Sequence, residues 1–184
     1  MNLQEWFEKG IDPDEYIESM KTNKENLLHV FDHFEIPDDD DFFKQVQKKN
    51  LRVIVLTEDW CGDAMMNIPI LLHIAQKANI EASFLARDNN LELMDQYLTN
   101  GKSRSIPIFI FIDEEGKERA TWGPRAPKIQ TFVEEATANL PAKNAADFKD
   151  KQKQVFTFVS KSYRENTDFW NQVYLSIKQT LTNI

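Results

Sequence analysis

The chain has 184 residues, with 22 Lys and Arg against 30 Asp and Glu, for a formal charge of −8. That charge disfavours nonspecific binding to nucleic acid or to an anionic membrane, each of which needs a basic face, and no Lys/Arg cluster stands out. A hydrophobic share of 41% with 13 Phe supplies a core and argues against disorder, and a chain this long buries about 70% of its unfolded surface and needs no staple.

In chain order, Asp12-Pro13 reads as a helix start, with Asp as N-cap and Pro in the first turn. Tyr16, Ile17, Met20, Leu27, Leu28 and Phe31 then mark one or two amphipathic helices. The acidic run Asp38–Asp41 reads as a solvated helix start followed by a buried stripe of Phe42, Phe43 and Val46. Leu51–Thr57 (LRVIVLT) is a continuous β-prone run, as expected of a strand covered on both faces. A helix is expected over residues 61–78 and a strand over 81–86. A short helix over 91–98 is stopped by Asn100-Gly101. Ile106–Ile112 (IPIFIFI) is a third strand, residues 113–116 a turn, and 117–122 an antiparallel hairpin partner. Residues 126–140 form a closing helix that Pro141 ends.

The order β-α-β-α-β-β-α predicts an α/β fold: a mixed sheet with helices on both faces. Residues 1–50 are a helical N-terminal extension, 51–140 the α/β domain, and 141–184 a C-terminal extension of two helices. The latter show helical spacing at Phe148, Val155, Phe156, Val159 and Tyr163, then at Phe169, Val173, Tyr174, Ile177 and Leu181. Whether they pack on the N-terminal helices or on a second chain is open, as is the oligomeric state.

No apolar run approaches the roughly 18 residues of a membrane span. The start Met1-Asn2-Leu3-Gln4-Glu5-Trp6 lacks a basic end followed by an apolar stretch, so no secretory signal is visible. The single cysteine, Cys61, excludes an intramolecular disulfide and a Cys-rich zinc site. A cytoplasmic protein that binds neither nucleic acid nor membrane, with no cofactor and no metal, is the expectation.

Chemistry-bearing residues gather at the joints. Trp60-Cys61-Gly62-Asp63-Ala64 sits where the first strand turns into a helix, with Pro69 eight residues after Cys61. Arg104-Ser105-Ile106-Pro107 opens the third strand, and Gly123 follows the fourth. The first segment resembles the Trp-Cys-Gly-Pro-Cys motif of thioredoxins, whose helix is kinked by a proline at the position of Pro69. Ile106-Pro107 resembles the family's Ile-Pro element, and Gly123 its glycine near the active surface. The resemblance covers about residues 51–140. It implies a thioredoxin-like fold and Cys61 as the nucleophile. It further implies that Pro107 is cis and turns the backbone to pair with an extended substrate. Trp60, Gly62, Asp63, Ile106 and Pro107 would then form the substrate-binding surface.

A thiol at a helix N-terminus sits among unpaired N–H groups and the positive end of the dipole, which stabilises the thiolate. Glu58, Asp59 and Asp63 oppose this, because like charge disfavours a thiolate. The sequence leaves that balance open. Ala64 replaces the motif's second cysteine, so the dithiol reductase cycle cannot run within the chain. Val55 stands where thioredoxins place a buried aspartate. What the resemblance leaves is monothiol exchange, of the kind bacilliredoxin-like and monothiol glutaredoxin-like proteins follow. Cys61 would take a small thiol from a mixed disulfide, and an external thiol would regenerate it. The partners are then a client protein or a low-molecular-weight thiol. The competing reading is a redox-inactive thioredoxin-like scaffold that binds a protein partner, with Cys61 an inert helix-start residue.

His29 and His33 have i, i+4 spacing but no cysteine near them in sequence, and read as a surface pair. His73 lies about 18 Å along the helix from Cys61 and is no base for it. No G-x-S-x-G and no Gly-rich phosphate loop appear.

Overall fold

Four helices precede the first strand in the computed structural model, which describes residues 2–184. They are α1 (Leu3–Lys9), α2 (Pro13–Ser19), α3 (Lys24–His33) and α4 (Asp40–Gln47). The Asp12 carboxylate accepts the Glu15 N–H, with Pro13 at the first helical position. Phe42, Phe43 and Val46 are buried along α4, as the stripe predicts. Asp39, however, does more than solvate a helix start. Its carboxylate accepts the Tyr174 hydroxyl at 3.0 Å and the Lys178 ammonium, so the acidic run also docks the C-terminal helix.

The sheet comprises β1 (Arg52–Thr57), β2 (Glu81–Ala86), β3 (Ile108–Ile112) and β4 (Glu118–Trp122), in the order β2-β1-β3-β4. β1 runs parallel to β2 and antiparallel to β3, so Val55 lies between Phe84 and Phe109, and β3–β4 is an antiparallel pair. Val53, Ile54, Val55 and Leu56 are all fully buried, which explains a run with no polar alternation. α1 and α2 lie against β1 and β2. Between β1 and β2 runs α5 (Gly62–Ala78), with Pro69 inside it.

Three expected elements are shorter by two residues or more. The helix over 91–98 is only α6 (Leu91–Met94). Leu93 and Met94 are its buried residues, while Asp95 turns outward to meet Arg104 at 2.6 Å. The chain then turns through Asn100 and Gly101, both at positive φ. The third strand starts at Ile108, because Pro107 has no N–H to give the ladder. The closing helix is α7 (Pro127–Thr137).

The C-terminal helices α8 (Phe148–Glu165) and α9 (Thr167–Thr182) fold back onto their own chain. α8 lies against α3, α5 and α7, and α9 against α4, α5, α7 and β4. α5 is therefore surrounded, and twelve of its residues are buried, on every side of the helix. Trp170 Nε1 donates to the Tyr163 carbonyl at 2.7 Å, locking the corner between α8 and α9. One buried cluster runs from Leu3 to Leu181, so both extensions share the core of the sheet.

Candidate functional site

β1 ends at Thr57, and Glu58-Asp59-Trp60 turns the chain so that Cys61 becomes the N-cap of α5. Two of the three nearby carboxylates are engaged with backbone amides. Asp59 accepts the N–H groups of Lys21 and Thr22 at 2.8 and 3.1 Å, pinning the turn to the α2–α3 linker. Glu58 accepts the Asp88 N–H at 2.8 Å. The Cys61 Sγ–H donates to the Ile106 carbonyl at 3.3 Å, and the residue is only 8% exposed. Burial pushes the Cys61 thiol up to about 11, and the Asp63 charge adds to this. The N–H groups of Ala64 and Asp63 and the Arg125 guanidinium pull the other way and do not prevail. The contest left open by the sequence thus goes to the protonated thiol.

Asp63 is held by partners that the sequence did not announce. Arg125 Nε and Nη2 donate to its two oxygens at 2.6 and 2.8 Å, and the Tyr163 hydroxyl donates to Oδ1 at 2.8 Å. Arg125 Nη1 also donates to Gln130 Oε1 at 2.9 Å. Burial works against the charge on Arg125, but the Asp63 carboxylate keeps it firmly protonated. Burial, with the Asp63 charge beside it, drives the Tyr163 hydroxyl far above the usual phenol range. Neither Arg125 nor Tyr163 stood among the expected site residues. Arg125 follows Gly123-Pro124 with no motif of its own, and Tyr163 has the spacing of an ordinary core residue.

A cavity of about 470 Å³ opens beside the sulfur, between the head of α5, the α2–α3 linker, α7 and α8. Trp60, Cys61, Gly62, Asp63, Arg125 and Val159 are among the residues that line it. Trp60 is 51% exposed, and the Arg87 guanidinium sits 4.9 Å above its ring. Ser160 of α8 lies over Gly62, with its Oγ 3.9 Å from where a Cβ would stand. Ile106 and Pro107 do not line this cavity. Both are buried behind the sulfur, and the peptide bond between them is cis. Gly123 packs on Pro107 and Ile108 at φ +128°, where a Cβ would come within 2.2 Å of the Pro107 carbonyl oxygen, so glycine is required. Val55, fully buried, puts no ionisable group in the strand beneath.

The histidines form no such site. His29 and His33 stack at 4.2 Å, and His73 Nε2 lies 2.8 Å from the Phe31 carbonyl oxygen. Among the described residues, no group of three or more His, Cys, Asp or Glu is gathered to hold a metal ion. Nor is any described helix long and apolar enough to cross a membrane.

No curated protein matches the sequence. Crystal structures share the fold at low identity, two of them as follows. One is an HIV epitope-scaffold, at a TM-score of 0.69 and 14% identity, with 100% of this chain and 99% of that chain covered. The other is a protein of unknown function from Pseudomonas aeruginosa, at a TM-score of 0.63 and 18% identity, with 88% and 99% covered. A thioredoxin family profile matches residues 10–139, reaching into the N-terminal helices. A cysteine at the N-cap position of the helix after β1, the Ile106-Pro107 element behind it, the mixed four-stranded sheet and this match agree: the chain belongs to the thioredoxin family.

Proposed function

We propose that the chain is a monothiol thiol–disulfide exchange protein in which Cys61 is the reacting group. The observation that supports this reading is the position of Cys61: it occupies the N-cap position of α5 on the wall of an open cavity, its thiol hydrogen-bonded to the carbonyl before Pro107. In the first step Cys61 loses its proton to solvent and attacks a disulfide R–S–S–R′. A Cys61–S–S–R bond forms, the R–S–S–R′ bond breaks, and R′S⁻ leaves and takes up a proton. An external thiol R″SH then attacks the R sulfur, giving R–S–S–R″ and restoring the Cys61 thiol. The disulfide oxidation level passes from one partner to another with no net electron transfer. A free thiol that must stay reduced suits a cytoplasmic location.

The reaction is slow at neutral pH. A thiol at about 11 has a thiolate fraction lower than that of an ordinary cysteine by roughly 2–3 orders of magnitude. The greater nucleophilicity of the more basic thiolate returns only about one of these. The same raised thiol favours a second reading, a redox-inactive module that binds a protein partner through this face.

The test uses 2-hydroxyethyl disulfide and intact-mass analysis of the folded chain at several pH values. The expected result is a mixed disulfide at Cys61 that added thiol removes. It should form faster at higher pH, by about tenfold per unit, and be absent in Cys61→Ser. A folded chain with no adduct even at pH 10 would leave only the binding module.

A further inference from the structure

We propose, resting on the exchange reading, that the Cys61 cavity takes small-molecule disulfides and is closed to polypeptide clients by α8, which the Asp63–Arg125–Tyr163 cluster fastens over the head of α5. Phe156, Val159, Ser160 and Tyr163 of α8 all face the cavity, and Ser160 stands over Gly62. The fastening is buried: Tyr163 is 2% exposed and its hydroxyl bonds to Asp63 at 2.8 Å, while Arg125 grips both carboxylate oxygens. An extended polypeptide advances about 3.3 Å per residue and needs an open backbone edge beside the sulfur. The segment that would offer one, Ile106-Pro107, is buried. A volume of about 470 Å³ lies in the range of small-ligand sites.

The walls also define the ligand's chemistry. Asp63 and Arg125 neutralise each other, so no free charge of either sign faces inward from that pair. Trp60, Val133, Phe156 and Val159 give apolar surface, and Thr22, Asn23 and Thr137 add neutral hydrogen-bonding groups at the sides. The fitting occupant is an uncharged disulfide with one apolar arm and hydroxyl or amide groups.

Size selection can be read by alkylation, which does not depend on exchange activity. Cys61 of the full chain is labelled at pH 8 with N-ethylmaleimide and with a maleimide carried on a small globular protein. Each rate is divided by that of the urea-unfolded chain. The bulky reagent is expected to fall at least tenfold further behind than the small one. Tyr163→Phe and Val159→Ala, each checked for folding by circular dichroism, should bring the two ratios together by severalfold. Leu175→Ala, at an exposed position of α9, should not. Equal ratios in the unsubstituted chain, a sulfur that neither reagent labels, or variants that leave the ratios apart would each overturn the proposal. A chain that selects by size but forms no mixed disulfide keeps the α8 closure and loses the exchange reading. One that exchanges equally with 2-hydroxyethyl disulfide and a peptide disulfide keeps exchange and loses the closure.

Discussion

The Tyr163 hydroxyl donates to Asp63 Oδ1 at 2.8 Å across 100 residues of chain, joining the end of α8 to the first turn of α5. The carboxylate that suits a helix start is thereby also the anchor of the C-terminal extension. Tyr163→Phe keeps the ring packing and deletes one hydrogen bond to a charged group in a buried setting. The expected cost is about 1.5–3 kcal/mol, a fall in melting temperature of roughly 3–12 °C for a chain of this size. Thermal unfolding followed by circular dichroism measures it, and an unchanged melting temperature would mean that the bond adds nothing net.

Asp63→Asn acts in two directions at once. It leaves the Arg125 guanidinium, whose side chain is 26% exposed, without a carboxylate and with neutral acceptors in place of an ion pair. Partial solvent access reduces the usual penalty for breaking a buried pair, so about 2–4 kcal/mol is expected. The same change removes the negative charge that raises the Cys61 thiol and keeps the positive charge that lowers it. The variant should therefore be less stable yet react faster with iodoacetamide at pH 7.5. A pH–rate profile on folded protein, paired with urea unfolding, reads both effects.

What the sequence revealed follows the range of the interactions involved. The strand over 81–86 matches β2 in full, and residues 51–57 contain β1, because a strand with a buried middle advertises itself by composition. Cys61 at the helix start and Ile106-Pro107 behind it were legible because each is a local motif. The helix expected over 91–98 is longer than α6 because the N–H groups of Gln96 and Tyr97 bond only three residues back, to Leu93 and Met94, a tightening that a run of helix formers does not show. The Asp63–Arg125–Tyr163 cluster was invisible for a stronger reason. Its three members meet only after α8 folds back, and the position of Tyr163 among Val155 and Val159 reads the same whether or not its hydroxyl has a partner. The state of the thiol turns on burial, which raises it more than any neighbouring charge does, and burial is not written in the local charges.

The raised thiol has a consequence for alkaline stability. Cys61 titrates at about 11 in the folded chain and near 8.5 when unfolded. Between those values the unfolded chain gives up the proton first, so it holds fewer protons than the native state and stability falls as pH rises. The contribution is complete below about pH 8.5 and is lost by about pH 11, with about 3 kcal/mol as its upper size. Burial also pushes the Tyr16 hydroxyl up to about 12, which adds to the loss at the top of the range. The clean measurement is urea unfolding of the unsubstituted chain and Cys61→Ser between pH 8.5 and 10. The slope should be shallower in the serine variant, and parallel slopes would show that the thiol is not perturbed.

Gly123→Ala tests the backing of the sulfur. At φ +128° an added Cβ meets the Pro107 carbonyl oxygen at 2.2 Å and Ile108 Cα at 3.2 Å, both backbone contacts that no rotamer change relieves. Conformational strain and the clash together should cost about 2–4 kcal/mol. Relief requires the 106–108 segment to shift, which moves the Ile106 carbonyl away from the Cys61 thiol. Faster alkylation of Cys61 should therefore accompany the loss of stability. A stable variant with an unaltered thiol would show that the loop after β4 does not press on this segment.

Ala64→Cys asks whether the missing second sulfur is all that separates this chain from a dithiol reductase. Ala64 lies in the first turn of α5, three residues after Cys61 and almost fully buried. Side chains three apart on a helix stand about 5–6 Å apart at Cβ, and closing to about 4 Å lets a disulfide form with little backbone movement. Oxidation should then remove both free thiols, as a thiol titration would report. Turnover in an insulin-reduction assay should nonetheless stay low, for two reasons that the added sulfur does not touch. Val55 provides no carboxylate in the strand beneath to accept a proton, and α8 still lies over Gly62. Brisk reduction of insulin by Ala64→Cys would reverse the argument: α8 would then be no barrier to a polypeptide, and only the absent cysteine would keep this member of the family from reducing protein disulfides.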